Sequence, residues 1–276
     1  MVRFTHSIFA LPFALASLVF ASRTAPLGAT EILWVIVAMV AARNAAMGFN
    51  RLVDAAIDAR NPRTSNREIP RGVLSRTDVA LFVGLLSALF IFAASRLNRT
   101  CLVLSPLALA IVFSYSYTKR FTWGSQLFLG LSLAIAPVGA WIAATGRIGV
   151  PPVLLGASVL CWVAGFDVIY ALQDVEFDRR EGLHSVPARF GPSRALLIAR
   201  LMHVAAVSAL AALYFLLPLH PLYLLGVALV AALLVYEHTL VRPDDLSKVN
   251  VAFFTANGLV SVLYLLTAAT SAALGR

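Results

Sequence analysis

The chain has 276 residues, 60% of them apolar and only 13% charged, with a mean hydropathy of +0.86 and a formal net charge of +9. Average soluble domains carry roughly 25% charged residues, so a soluble globular protein is excluded and a polytopic membrane protein is expected. The positive balance does not point to nucleic acid, because the basic residues flank apolar runs instead of lining one soluble face. Membrane topology and anionic lipid headgroups account for most of them.

A spanning helix needs about 20 apolar residues, or about 17 at the low end. Nine runs qualify: residues 5–22, 29–49, 78–95, 101–117, 124–145, 150–171, 192–217, 218–238 and 250–272. The expected fold is all-α, one integral membrane domain over residues 1–276 with nine transmembrane helices. The first run reads as a helix and not as a signal peptide, since it passes directly into another hydrophobic segment. Pro218, His220 and Pro221 mark a tight turn between the seventh and eighth runs. Nine spans place the amino terminus and the loops after even-numbered helices on one side. That side holds Arg51, Arg60, Arg63, Arg67, Arg71 and Arg76, then Lys119 and Arg120, then Arg179 and Arg180. The bias predicts a cytoplasmic (inner) membrane protein whose amino terminus and acidic motifs face the cytoplasm.

In chain order, the second run leads from Arg43 into Asn50, Asp54 and Asp58, which recur every four residues and share one helical stripe. Asn61-Pro62 must end that helix, and the polar segment through Thr77, longer than an ordinary helix connection, reads as a functional loop or lid. The fourth run ends in a cluster of Tyr115, Tyr117, Lys119, Arg120 and Gln126, where Tyr115 and Trp123 suit an interfacial aromatic belt. Pro137 and Gly139 kink or open the fifth. The sixth carries a second stripe, Asp167, Asp174 and Asp178, with Glu176 off it and facing water. His184 reads as a solvent-exposed loop residue. Cys101 and Cys161 read as small core residues, and His203, Glu237 and His238 stand isolated, with structural or interfacial roles.

Like charges four apart repel on a helix, so two acid stripes imply a cation held between them. Four helices separate the stripes, which gives them equivalent orientation and suggests two pseudo-repeated bundles around a central cavity. Mg²⁺ is usually held by one or two carboxylates together with water and phosphate oxygens. Two aspartate sets would therefore hold such ions around a diphosphate, with Arg43, Lys119 and basic loop residues neutralising the remainder. A lipid tail on that diphosphate would lie among apolar helices, so the expected substrate is a prenyl diphosphate.

These residues carry a family resemblance. N-x3-D-x3-D at Asn50, Asp54 and Asp58 and D-x2-Y-A-x2-D-x3-D at Asp167, Tyr170, Ala171, Asp174 and Asp178 resemble the paired motifs of the UbiA superfamily of intramembrane aromatic prenyltransferases. The run from Tyr115 to Lys119-Arg120 and Pro70-Arg-Gly72 are similar as well, and the resemblance covers nearly the whole chain. Arg51 departs from it, standing where many members have Asp and removing one carboxylate. This Asn-Arg form, with NPRTSNREIP and EGLHSVPARFG, is similar to a branch linked to menaquinone synthesis through futalosine, whose acceptor is a dihydroxynaphthoate. The 4-hydroxybenzoate polyprenyltransferases, which serve ubiquinone synthesis, are closely similar too.

The resemblance implies Mg²⁺ held by Asn50, Asp54, Asp58, Asp174 and Asp178, with Arg43, Lys119 and Arg120 assisting at the diphosphate. It implies substrate contacts from Asn50, Arg43, Tyr117, Lys119, Arg120 and Tyr170, and a role for Asp167 in placing the acceptor or taking the ring proton. The rival from another class is a cation- or proton-coupled transporter. Acids gathered at one membrane edge instead of along a midplane path favour the enzyme. Transfer to haem or to a chlorophyll precursor are lesser alternatives within that class.

Overall fold

Proline and glycine punctuation decides where the helices end. In the computed structural model, which describes residues 9–275, α1 covers Leu11–Ala21, α2 Ala29–Arg60, α3 Arg76–Leu97, α4 Arg99–Thr118, α5 Ser125–Thr145 and α6 Val150–Ala171. A 3₁₀ turn at Leu172–Asp174 leads to the short α7, Val175–Arg180, and α8, Val186–Phe190. Then come α9 at Pro192–Leu216, α10 at Leu222–Thr239, a π-helical turn at Val251–Ala256 and α11 at Asn257–Leu274. Among the described residues eight helices are long and apolar enough to cross a membrane, and α1 is a shorter apolar helix. The expected first run, 5–22, begins outside the described residues.

Two boundaries bear on function. At 32 residues and 1.5 Å per residue, α2 is about 48 Å long, so it can cross a hydrocarbon layer of about 30 Å with several turns to spare. Asn50, Asp54 and Asp58 lie on those last turns, before Asn61 turns the chain to extended geometry ahead of Pro62. The second acid stripe is not one continuous helix as expected. α6 stops at Ala171, and the 3₁₀ turn separates Asp167 from Asp178.

The long helices pack as consecutive neighbours in two groups, α2 to α5 and α6 with α9 to α11; α5 on α6 joins them, and α1 packs on both α5 and α11. Lipid gives little hydrophobic drive between helices, so close backbone approach at small residues matters more than in water. At Gly130 on α5 a Cβ would sit 2.3 Å from the Leu160 carbonyl oxygen of α6. Gly130→Ala is therefore expected to cost about 1–3 kcal/mol, the usual price of overpacking, seen as a lower melting temperature in detergent. Gly139→Ala on the same helix, where an added Cβ meets nothing within 4 Å, is expected to leave the melting temperature unchanged.

His203, Glu237 and His238 are not isolated, because α6, α9, α10 and α11 converge on them. His203 Nδ1 lies 3.0 Å from His238 Nε2, and Glu237 accepts from Asn257. His203 and His238 are 35 residues apart and Glu237 and Asn257 are 20 apart, which is why their pairing is invisible in the chain. Pro218 and Pro221 flank a tight turn between α9 and α10, as expected. Cys101 and Cys161 are free, partly buried and packed against apolar clusters.

Candidate active site

The two acid-bearing ends meet. Asn61, at the end of α2, donates through Nδ2 to Asp174 Oδ1 at 3.1 Å, and both stripes line one cavity of about 230 Å³. Asn50, Asp54 and Asp58 reach it from α2, Tyr115 and Ser116 from α4, Lys119 from the cap that ends α4, and Asp167, Tyr170, Asp174 and Asp178 from α6 to α7.

Asp54, Asp58 and Asp174 each hold basic side chains. Asp54, only 2% exposed, takes Lys119 Nζ at 2.7 Å and Asn50 Nδ2 at 2.9 Å on Oδ2, while Arg120 approaches Oδ1 at 3.3 Å. Asp58, 4% exposed, has Arg67 Nη1 at 2.7 Å from both oxygens and Arg51 at 3.9 Å. Arg63 grips Asp174 with Nε at 3.0 Å on Oδ1 and with Nη2 on Oδ2, a bidentate fork. Burial works against the charge of Arg63, yet the hydrogen bond and charge of Asp174 outweigh it and hold the guanidinium above the ordinary arginine range. Asp178 accepts from Ser185 Oγ at 2.8 Å, and the same hydroxyl caps α8. Asp167 faces the cavity with no hydrogen-bond partner among the described residues.

The other candidates divide. Asn50, Lys119 and Tyr170 line the cavity, and Arg120 reaches it through Asp54 while bonding the Val53 carbonyl at 2.7 Å. Arg43 does not line it; its Nη2 lies 3.4 Å from Met47 Sδ, on α2 short of the acid turns. Tyr117 also points elsewhere, 44% exposed beneath the Arg120 guanidinium and against the edge of Phe49. Both had been expected on the substrate. Stripe arithmetic placed Arg43 there, but seven residues of helix carry it about two turns from Asn50.

Sequence reasoning did not assign Arg63, Arg67, Tyr115, Gln126, His184 or Ser185 to the site, although all six line the cavity. The spacing of four between Arg63 and Arg67, directly after the acid helix, was an available signal. Tyr115 lines the cavity instead of an interfacial belt, and His184 lines it while its backbone N–H donates to the Lys119 carbonyl at 2.7 Å. Ser185 could be found only from the fold, since the short α8 that it caps has no long-range sequence signature.

The donor set suits a hard cation, consisting of carboxylate and carboxamide oxygens. Among the described residues no three His, Cys, Asp or Glu side chains converge on one point. That arrangement fits Mg²⁺ taken by one or two carboxylates at a time, with ligand oxygens completing the octahedron. It does not fit an all-protein cage.

A model of the UbiA prenyltransferase family matches residues 10–259. The 4-hydroxybenzoate octaprenyltransferase of Vibrio parahaemolyticus is 30% identical over 231 residues, 82% of this chain and 80% of that protein. The enzyme of the same description from Nitrosospira multiformis is 28% identical over 229 residues, 83% of this chain and 79% of that protein. Among solved structures, the apo form of a UbiA homologue from Aeropyrum pernix superposes with a TM-score of 0.88 at 33% identity, covering 97% of this chain and 98% of the other. A homologue from Archaeoglobus fulgidus bound to DMAPP and Mg²⁺ superposes with a TM-score of 0.76 at 19% identity, over 97% and 96% of the chains, a likeness of fold.

Proposed function

The chain belongs to the UbiA prenyltransferase family, and from that premise we propose that it transfers a polyprenyl group from a prenyl diphosphate to 4-hydroxybenzoate, in the manner of ubiquinone synthesis. One observation carries the reading: two aspartate-bearing helix ends line a single cavity in which every acid but Asp167 has a basic or hydroxyl partner ready to exchange. The octaprenyltransferases that cover most of this chain favour a one-ring hydroxybenzoate over a dihydroxynaphthoate. Gathering of the acids at one basic-rich end favours an enzyme over a transporter. The same charge bias supports an active site opening to the cytoplasm from the inner membrane.

Mg²⁺, when bound by Asn50, Asp54, Asp58, Asp174 and Asp178 with diphosphate oxygens, supplies positive charge that eases departure of the leaving group. Lys119, Arg120, Arg63 and Arg67 are placed to turn from their carboxylates to the diphosphate and hold its oxygens. Preorganised charge of this kind lowers the barrier as the allylic carbon–oxygen bond breaks and the tail becomes cationic. Tyr115 and Tyr170 present aromatic surface beside that carbon, and apolar helices keep out the water that would trap it as an alcohol. The acceptor ring attacks, forming the new carbon–carbon bond, and Asp167 is placed to take the displaced ring proton.

Purified protein given Mg²⁺, geranyl diphosphate and 4-hydroxybenzoate in detergent should form geranylated hydroxybenzoate, identified by mass, with no membrane gradient. Turnover of no aromatic acid would defeat the proposal.

A further inference from the structure

Phe253 is the aromatic residue that α11's side of the bundle contributes to the cavity lining, and it stands between the cavity and a stack of buried rings. Its ring lies 4.1 Å from that of Tyr170, with Phe166 at 5.2 Å and Phe9 at 5.6 Å packed edge-on behind it. Behind this wall is buried aromatic core, including Trp162 and Phe13, so the cavity is blind on this side. A polyprenyl tail needs a way out to lipid, because about 230 Å³ is below the roughly 300 Å³ of even a small drug-sized pocket. The blind end therefore suits the compact substrate, and Asp167 and Tyr170 one turn apart on α6 stand beside it.

Phe253 sits on a π-helical turn, a feature often found at functional sites. That turn is held by a buried clasp of polar groups from three helices. Asn257 donates through Nδ2 to the Ala252 carbonyl at 3.0 Å and to Glu237 Oε1 at 2.9 Å, and its Oδ1 accepts from Trp162 Nε1 at 2.6 Å. Glu237 and Asn257 are fully buried, and Glu237 Oε2 has no partner among the described residues. Polar groups at such depth are costly, and the reaction described above uses none of these.

We propose that Phe253 sets which aromatic acid the cavity admits, and that Glu237, Asn257 and Trp162 are positioning residues for the turn that carries it. This rests on the acceptor reading given above. A smaller side chain at 253 deepens the blind end, and loosening the clasp lets the wall recede.

The test measures kcat/KM of the purified full-length protein, with Mg²⁺ and geranyl diphosphate, for 4-hydroxybenzoate and for a fused two-ring dihydroxynaphthoate. Phe253→Ala is expected to raise the two-ring to one-ring ratio by about tenfold, within the range over which apolar pockets discriminate by size. Phe253→Leu, the milder cut, should move the ratio the same way by less. Glu237→Leu should follow Phe253→Leu, whereas Glu237→Gln, which keeps an oxygen for Asn257, should hold the wild-type ratio. Phe253 variants that lose activity toward both acids in proportion would overturn the proposal. A Glu237→Leu ratio equal to wild type would overturn the positioning role. Wild-type preference for the two-ring acid would overturn the one-ring reading alone, with the Phe253 ratios still deciding this one. Wild-type transfer to neither acid would overturn both.

Discussion

Asp54→Ala is expected to lower Mg²⁺-dependent prenyl transfer by about a thousandfold, the upper part of the range for removing one preorganised group at a reacting centre. Asp54 is the most enclosed of the cavity's acids, and it alone gathers Asn50, Lys119 and Arg120. Its loss removes a proposed metal ligand and also leaves two cations without the partner that places them. The protein should still insert and elute as a folded species, because the helices are held by apolar packing remote from this corner. Single-turnover assay of the purified variant, beside its thermal melt, checks both halves. A folded variant with full activity would remove Asp54 from the mechanism.

Asp174→Ala should have an effect of similar size, and its interest lies in the fork with Arg63. If Arg63 leaves Asp174 for the diphosphate during turnover, Arg63→Ala alone raises KM for the prenyl diphosphate and costs about ten- to a hundredfold in kcat/KM, the scale of a charged hydrogen bond. The double variant should then be no worse than Asp174→Ala, since neighbours in one network do not act additively. Multiplying effects in that cycle would show that the two residues act independently.

Much of the architecture was legible because lipid imposes a simple code. Apolar run length found the spans, and Asn61-Pro62 and Pro218 through Pro221 found their breaks. The acid spacing of four in α2 was enough to bring Asn50, Asp54 and Asp58 to one face, where they share the cavity. Periodicity failed where the backbone changes its pitch. The 3₁₀ turn at Leu172–Asp174 breaks the second stripe, and the π turn at Val251–Ala256 gives Phe253 a place that no helical wheel predicts. It failed also for partners supplied from elsewhere in the chain: Arg63 to Asp174 and Glu237 to Asn257 join segments whose proximity depends on tertiary packing. Arg43 lies on the expected stripe about two turns before Asn50 and does not line the cavity, a displacement along the axis that a helical wheel does not register.

The pairing of the cavity's aspartates with lysine and arginine has a bearing on how the protein comes into being. A bilayer resists naked ionised groups, and here the acids are answered by bases borne on the same polypeptide, Lys119 for Asp54, Arg67 for Asp58 and Arg63 for Asp174. The nascent molecule can thus settle as a self-neutralised whole before any ligand arrives. Under the proposed function, later occupancy becomes an exchange of counter-charges already in residence, so an incoming pyrophosphoryl headgroup need not recruit its arginines and lysine from solvent.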